Sequence, residues 1–208
     1  MFFQPQNILI DSTGTIVRIA DFGLARVFAL PVRAYTHEIV TLWYRCPEVL
    51  LGCQRYSLEV DVWSVGCILC ELVTLRPLFP GDSEIDQLYR IFRLLGTPTN
   101  EAWPGVEQLR DYNPSFPRWR ENRLRDCIKT TDQSLMHLLS ELLTLNPSKR
   151  ITSDQALKHQ YFAPLIGTQT NIDKTVAAQF PENTVERLHK AAVAAVIDSE
   201  GIDGEVDS

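Results

Sequence analysis

The chain has 208 residues, 45% hydrophobic and 22% charged, a globular composition with room for one ordinary domain or one lobe plus a tail. Its net charge of −6 gathers at the end, where Asp198, Glu200, Asp203, Glu205 and Asp207 fall in the last eleven residues with no Lys or Arg, leaving the rest at −1. A near-neutral body with an acidic tail argues against nucleic acid or a membrane as a partner.

The first residues carry neither a basic region nor a sustained apolar run, so no signal peptide is read there. No stretch is long enough to span a bilayer. The cysteines (Cys46, Cys53, Cys67, Cys70, Cys127) are odd in number and lack a framework spacing, which fits a reducing compartment, nucleus and cytoplasm. Cys67 and Cys70 have the spacing of a metal or redox pair, but no second pair or nearby His completes a site and the run around them is apolar, so they read as buried thiols.

In chain order, Ile8-Leu9-Ile10 and Ile16-Val17-Arg18-Ile19 flank Asp11-Ser12-Thr13-Gly14 and predict a β-hairpin. From there to Arg55 runs a long segment with little periodicity, and loops of that length are usually functional. Ser57 is expected to cap a helix over 58–75 that Pro77 stops. Apolar residues cover nearly its whole circumference, which calls for burial on all sides.

Ser83 opens a second helix with Ile85, Leu88, Tyr89, Phe92 and Leu95 on one face and Gly96 at its end. Residues 97–131, with four prolines, read as irregular. A third helix starts near Asp132 and buries Leu135, Leu138, Leu139, Leu142 and Leu143. A fourth is capped by Thr152, with Gln155 completing a capping box. After about Ala163 a polar connection leads to a second capping box, Asn183 with Glu186, and an Ala-rich helix near 184–197.

Asp21-Phe22-Gly23 lies fourteen residues after Asn7 and twenty-five before Cys46-Pro47-Glu48, counted from Asp21. Asp21 and Asn7 offer the hard oxygen donors that Mg²⁺ takes, although an Asn at a strand edge and an Asp in a turn are also ordinary placements.

Residues 5 to about 163 closely resemble the C-terminal lobe of a cyclin-dependent kinase. The resemblance is carried by Pro5-Gln6-Asn7-Ile8-Leu9-Ile10, the run from Ile19 to Arg26, Tyr35-Thr36-His37-Glu38, Val40-Thr41-Leu42-Trp43-Tyr44-Arg45, Asp61-Val62-Trp63-Ser64-Val65-Gly66 and Gly81-Asp82-Ser83-Glu84-Ile85-Asp86-Gln87-Leu88. It implies a mainly α fold: a partial protein-kinase-like C-lobe with a short β-hairpin over 1–163. A linker, a loosely attached amphipathic helix and an acidic tail follow over 164–208.

By that resemblance Asn7 and Asp21 hold Mg²⁺ and the phosphates of ATP, and Thr36 is the activation-loop phosphosite, with Arg26 as one of its partner arginines. Val40 and Arg45 line the pocket for the residue after the target Ser or Thr. A backbone carbonyl turned away there leaves an N–H unsatisfied, so proline is preferred. Glu48 and Arg150 form a buried structural ion pair, and Asp61 resembles the helix carboxylate that holds the catalytic loop, although a first-turn Asp favoured by the helix dipole is the stronger reading where that loop has no counterpart. Taken singly, Thr36 is a loop threonine, Val40 is core, and Arg45, Glu48 and Arg150 are surface charges.

Phe2 and Gln4 occupy the positions of the family's catalytic Asp and Lys. A phenyl ring does no acid–base work, and an amide brings no charge. The Gly-rich phosphate cover, the nucleotide Lys and the cyclin-binding helix have no counterpart in the sequence. The chain is therefore expected to be a truncated, inactive member that exposes a large apolar patch. The intact protein would transfer the γ-phosphoryl group of ATP to Ser/Thr-Pro sites on protein substrates. Its implied partners are a cyclin and a small cyclin-kinase regulatory subunit. The alternative is a non-catalytic decoy or scaffold that binds kinase partners, with Ile85 and Leu88 on its docking helix.

Overall fold

A computed structural model of the chain describes residues 4–12, 16–21, 42–54 and 56–165. The first elements are a 3-10 turn at Pro5–Asn7 and the expected hairpin, β1 (Ile8–Ile10) antiparallel to β2 (Val17–Ile19) with Ile8 opposite Ile19. Asp11 closes the hairpin by accepting the Ile16 N–H on its side chain at 2.7 Å. Three residues per strand bury little, and Leu9, Ile10, Val17 and Ile19 remain exposed. An isolated two-stranded ribbon of this size is marginal by itself.

The remaining elements are helical, and the fold is mainly α. The segment read as an unstructured loop contains a 3-10 turn at Leu42–Tyr44 and a one-turn helix, α1 (Pro47–Leu50). Pro47 starts α1 because its fixed φ suits the first helical position and its missing N–H costs nothing there. Four residues are too few to register as a periodic pattern, so the element was invisible to periodicity.

α2 (Glu59–Thr74) is the expected apolar helix, but Ser57 does not cap it; Leu58 occupies that position and no side chain caps the end. Leu75 ends the helix in the left-handed region at φ 57°, its N–H on Glu71 O at 2.7 Å. A leucine there costs about 1–2 kcal/mol relative to glycine, and Pro77 prevents further winding.

Burial of α2 is one-sided, contrary to the expectation. Val60, Val62, Trp63, Cys67, Ile68 and Cys70 lie in the core, whereas Val65, Leu72 (68% exposed) and Val73 face outward. The all-round apolar pattern is real, and nothing among the described residues covers its outer half. The buried half packs on α5 (Gln133–Leu142), where Gly66 makes the close approach possible. A Cβ on Gly66 would sit 3.0 Å from both Leu142 and Leu143.

α3 (Glu84–Leu95) is capped by Ser83, which accepts the Asp86 N–H at 3.3 Å, and ends at Gly96 with φ 92°. Its buried stripe is Gln87, Leu88, Ile91, Phe92 and Leu95, while Ile85 lies outside the core. The 97–131 connection contains a 3-10 turn at Val106–Gln108 and the short α4 (Leu124–Cys127). It is held on α3 by aromatic edges, with Phe116 against Phe92 at 5.7 Å and against Tyr89 at 6.1 Å.

Asp132 caps α5 through its Oδ1, which takes the Ser134 and Leu135 N–H groups. The capping box of Thr152 and Gln155 is formed, but α6 (Ser153–Leu157) has only five residues. The expected helix near 184–197 lies outside the described residues.

Candidate functional site

The hairpin positions the two expected oxygen donors. Asn7 precedes β1 and is buried, and its backbone O accepts the N–H of Ala20 at 2.7 Å. Ala20 follows β2, so Asp21 stands one residue beyond the point where the two segments are bonded. Asp21 itself is in the left-handed region at φ 56°, which Asp tolerates better than most residues. The Asn7 Oδ1 lies 3.5 Å from Gln4 Nε2, while the Gln4 Oε1 is buried with no hydrogen-bond partner. Asn7 and Asp21 each offer the side-chain oxygen that a hard cation such as Mg²⁺ takes, and the orphaned Gln4 Oε1 beside Asn7 is a further acceptor of that type. Asn7 and Asp21 would hold that ion, and its chemistry there would be to neutralise phosphate charge.

The second cluster joins the 42–46 segment to the helices. Arg45 makes a 2.8 Å ion pair with Glu84 in the first turn of α3, and the Tyr44 hydroxyl donates to Glu71 of α2 at 2.6 Å. Burial, reinforced by that carboxylate, pushes the Tyr44 phenol far above its ordinary value. Ser64 of α2 donates to Tyr44 O at 3.0 Å. The fully buried Gln87 accepts the Gly81 N–H at 3.0 Å and donates to Trp43 O at 3.1 Å, while the Trp43 indole donates to Gly81 O at 2.9 Å. Sequence reasoning missed Gln87 as a bridge. A glutamine on the apolar stripe of a helix, one position before Leu88, was the available signal.

Gly81 belongs to the same knot. A Cβ there would lie 2.3 Å from Gln87 Oε1 and 2.8 Å from Gln87 Cα, so only glycine fits.

The third cluster fixes α1. Arg150 and Glu48 are 0% and 2% exposed, and the guanidinium meets the carboxylate in two-pronged fashion at 2.7 and 2.9 Å. Its remaining donors go to the carbonyls of Thr144, Glu59 and Leu145, and its face lies 5.1 Å from the Trp63 ring centroid. One side chain thus ties α1, the start of α2 and the turn after α5 together. Cys46 is wholly buried beside this pair, and burial pushes its thiol well above the ordinary value. Burial does the same to Cys67 and lifts Cys70 to about 12, so both are protonated thiols. Asp61, in the first turn of α2, has its carboxyl raised by burial.

Phe2, Arg26, Thr36 and Val40 lie outside the described residues. Leu88 is corrected: at 3% exposed it is core and cannot meet a partner, whereas Ile85 is 47% exposed.

The structure thus combines a mainly α platform, a two-strand ribbon flanked by Asn7 and Asp21, and a buried Arg–Glu clamp. The family model for the protein kinase domain matches residues 3–162, and the chain belongs to that family. Protein kinases as a family use ATP and Mg²⁺ and act on protein substrates.

Proposed function

We propose that this chain is the C-terminal lobe region of a cyclin-dependent type Ser/Thr kinase, its kinase part ending near residue 163, and that the chain is inactive by itself. The carrying observation is the knot that joins Trp43, Tyr44 and Arg45 to α2 and α3 through Gln87, Glu71 and Glu84. It holds in place the segment that the resemblance assigns to recognition of Ser-Pro and Thr-Pro sites. Asn7 and Asp21 are the proposed Mg²⁺ and ATP ligands, and Thr36 with Arg26 the proposed phosphorylation switch. The inactivity rests on Phe2 and Gln4, which offer neither the carboxylate that takes the hydroxyl proton nor the cation that offsets phosphate charge.

The test is phosphotransfer from γ-labelled ATP to a Ser-Pro peptide by purified chain with Mg²⁺. No signal above an Asp21→Ala control is expected, and transfer that depends on Asp21 would overturn the inactivity.

The exposure of Ile85 favours a second reading, a non-catalytic module that docks partners through the outer face of α3. Association with a small cyclin-kinase regulatory subunit that is abolished by Ile85→Asp would support it, and no association would remove it.

A further inference from the structure

Beside α5, three side chains used by none of the clusters above converge. His137 and Glu141 stand one turn apart on α5, and His159 follows α6. His137 Nδ1 and His159 Nε2 are 2.8 Å apart, and Glu141 Oε2 is 3.6 Å from the first and 3.7 Å from the second. The three atoms lie within 4.8 Å of one another. We propose that His137, Glu141 and His159 form a binding site for a borderline divalent cation, Zn²⁺ by preference, that staples α5 to the segment after α6.

The donor set is two imidazoles and a carboxylate, which suits zinc and does not suit Mg²⁺ or Ca²⁺. For ligands roughly 2.0–2.1 Å from a tetrahedral ion, neighbouring donor atoms lie about 3.3 Å apart. The three observed separations bracket that edge, so modest side-chain rotation encloses the ion. The backbone is fixed on both sides. Leu138, Leu139 and Leu142 anchor α5 in the core, and the His159 N–H donates to Ala156 O while its carbonyl takes the Phe162 N–H.

The depression in front of these atoms, about 590 Å³, is also lined by Lys149, Thr152 and Gln155, which leaves a fourth position for water. The Arg150 guanidinium is buried and paired with Glu48, so among the described lining residues Lys149 is the cation that opposes metal entry.

The metal-free state has a defined proton arrangement. His159 Nδ1 accepts the Tyr161 N–H at 3.1 Å, so a neutral His159 carries its proton on Nε2 and donates it to His137 Nδ1. Metal loading moves the His159 proton to Nδ1 and displaces the Tyr161 amide, whereas His137 already presents a bare Nδ1. Loss of that one bond opposes loading, and affinity is accordingly below that of a closed four-ligand site.

The experiment titrates the full chain with Zn²⁺ against a chromophoric chelator, with Co²⁺ used in parallel as a spectroscopic substitute. One equivalent should bind, and bound Co²⁺ should show visible ligand-field bands without thiolate charge-transfer absorption. His137→Ala and Glu141→Gln should each weaken binding at least tenfold and abolish any zinc-induced rise in melting temperature. His137 is 58% exposed at its side chain, so its loss leaves the fold intact. The proposal fails if neither ion competes with the chelator, or if both variants bind like the parent. It also fails if a thiolate band appears and disappears with Cys53→Ser or Cys127→Ser.

Discussion

Replacing Glu48 by alanine strands a charge that cannot be shed, because a guanidinium stays protonated at any accessible pH. Arg150 is 0% exposed and would lose both prongs at 2.7 and 2.9 Å. It would keep the carbonyls of Thr144, Glu59 and Leu145 and the face of Trp63, so the vacancy is partial. Breaking one partner of such a pair costs about 3–5 kcal/mol. In a domain of this size each kcal/mol lowers the melting temperature by roughly 2–4 °C, so the loss should be on the order of 10 °C. Arg150→Met should cost at least as much, since it orphans the carboxylate and three carbonyls together. The double variant Glu48→Ala/Arg150→Met should be less damaging than the sum of the singles by about 1–3 kcal/mol, measured by urea unfolding in a mutant cycle. A Glu48→Ala variant within about 1 kcal/mol of the parent, or strict additivity, would refute the view that this pair clamps α1 to the lobe.

The Gln87 bridge should behave similarly on a smaller scale. Gln87→Ala deprives the Gly81 N–H and Trp43 O of a buried partner and should destabilise by about 2–4 kcal/mol in urea unfolding, a loss below 1 kcal/mol excluding the bridge. Leu72→Lys on the outer half of α2 should leave stability within about 0.5 kcal/mol and raise the concentration reached before aggregation. A loss of several kcal/mol there would mean that something covers that face.

The elements that were legible in the sequence are those with long periodic stripes or capping chemistry. Both caps of α3, the Asp132 cap of α5 and the capping box of Thr152 follow from local hydrogen-bond chemistry and are present, whereas of the expected α3 face Leu88, Phe92 and Leu95 are buried and Ile85 is not. The start of α2 was misplaced because Ser57 offers a capping hydroxyl that the helix does not use, and a cap is only an opportunity until the backbone takes it. α1 escaped notice because its stability comes from Glu48 meeting a residue 102 positions away, a contact no local window contains. The zinc-like triad was equally hidden: His137 and Glu141 share a helix face, but His159 reaches them only through the packing of α6 and the turn behind it.

That contrast also separates the two parts of the candidate site by what holds them. The 42–46 segment is tied to α2 and α3 by buried polar contacts to Gln87 and Ser64, each of which would be costly to leave unmade. The hairpin that carries Asn7 and precedes Asp21 has exposed apolar residues on both strands, and at its donor end the Ala20 N–H bonds Asn7 O. Polar contacts in the interior fix a geometry because every alternative leaves an unsatisfied buried group, whereas a short ribbon with exposed apolar side chains exchanges its bonds with water at smaller cost. The 42–46 segment is therefore the better-fixed of the two. The proposed metal donors, Asn7 and Asp21, would gain precision from a cover over the exposed Leu9, Ile10 and Val17, just as the outer half of α2 calls for a cover over Val65 and Leu72. Both exposed surfaces are apolar, so burying either one against a partner would stabilise the lobe, and burying the hairpin face would also steady the proposed metal donors.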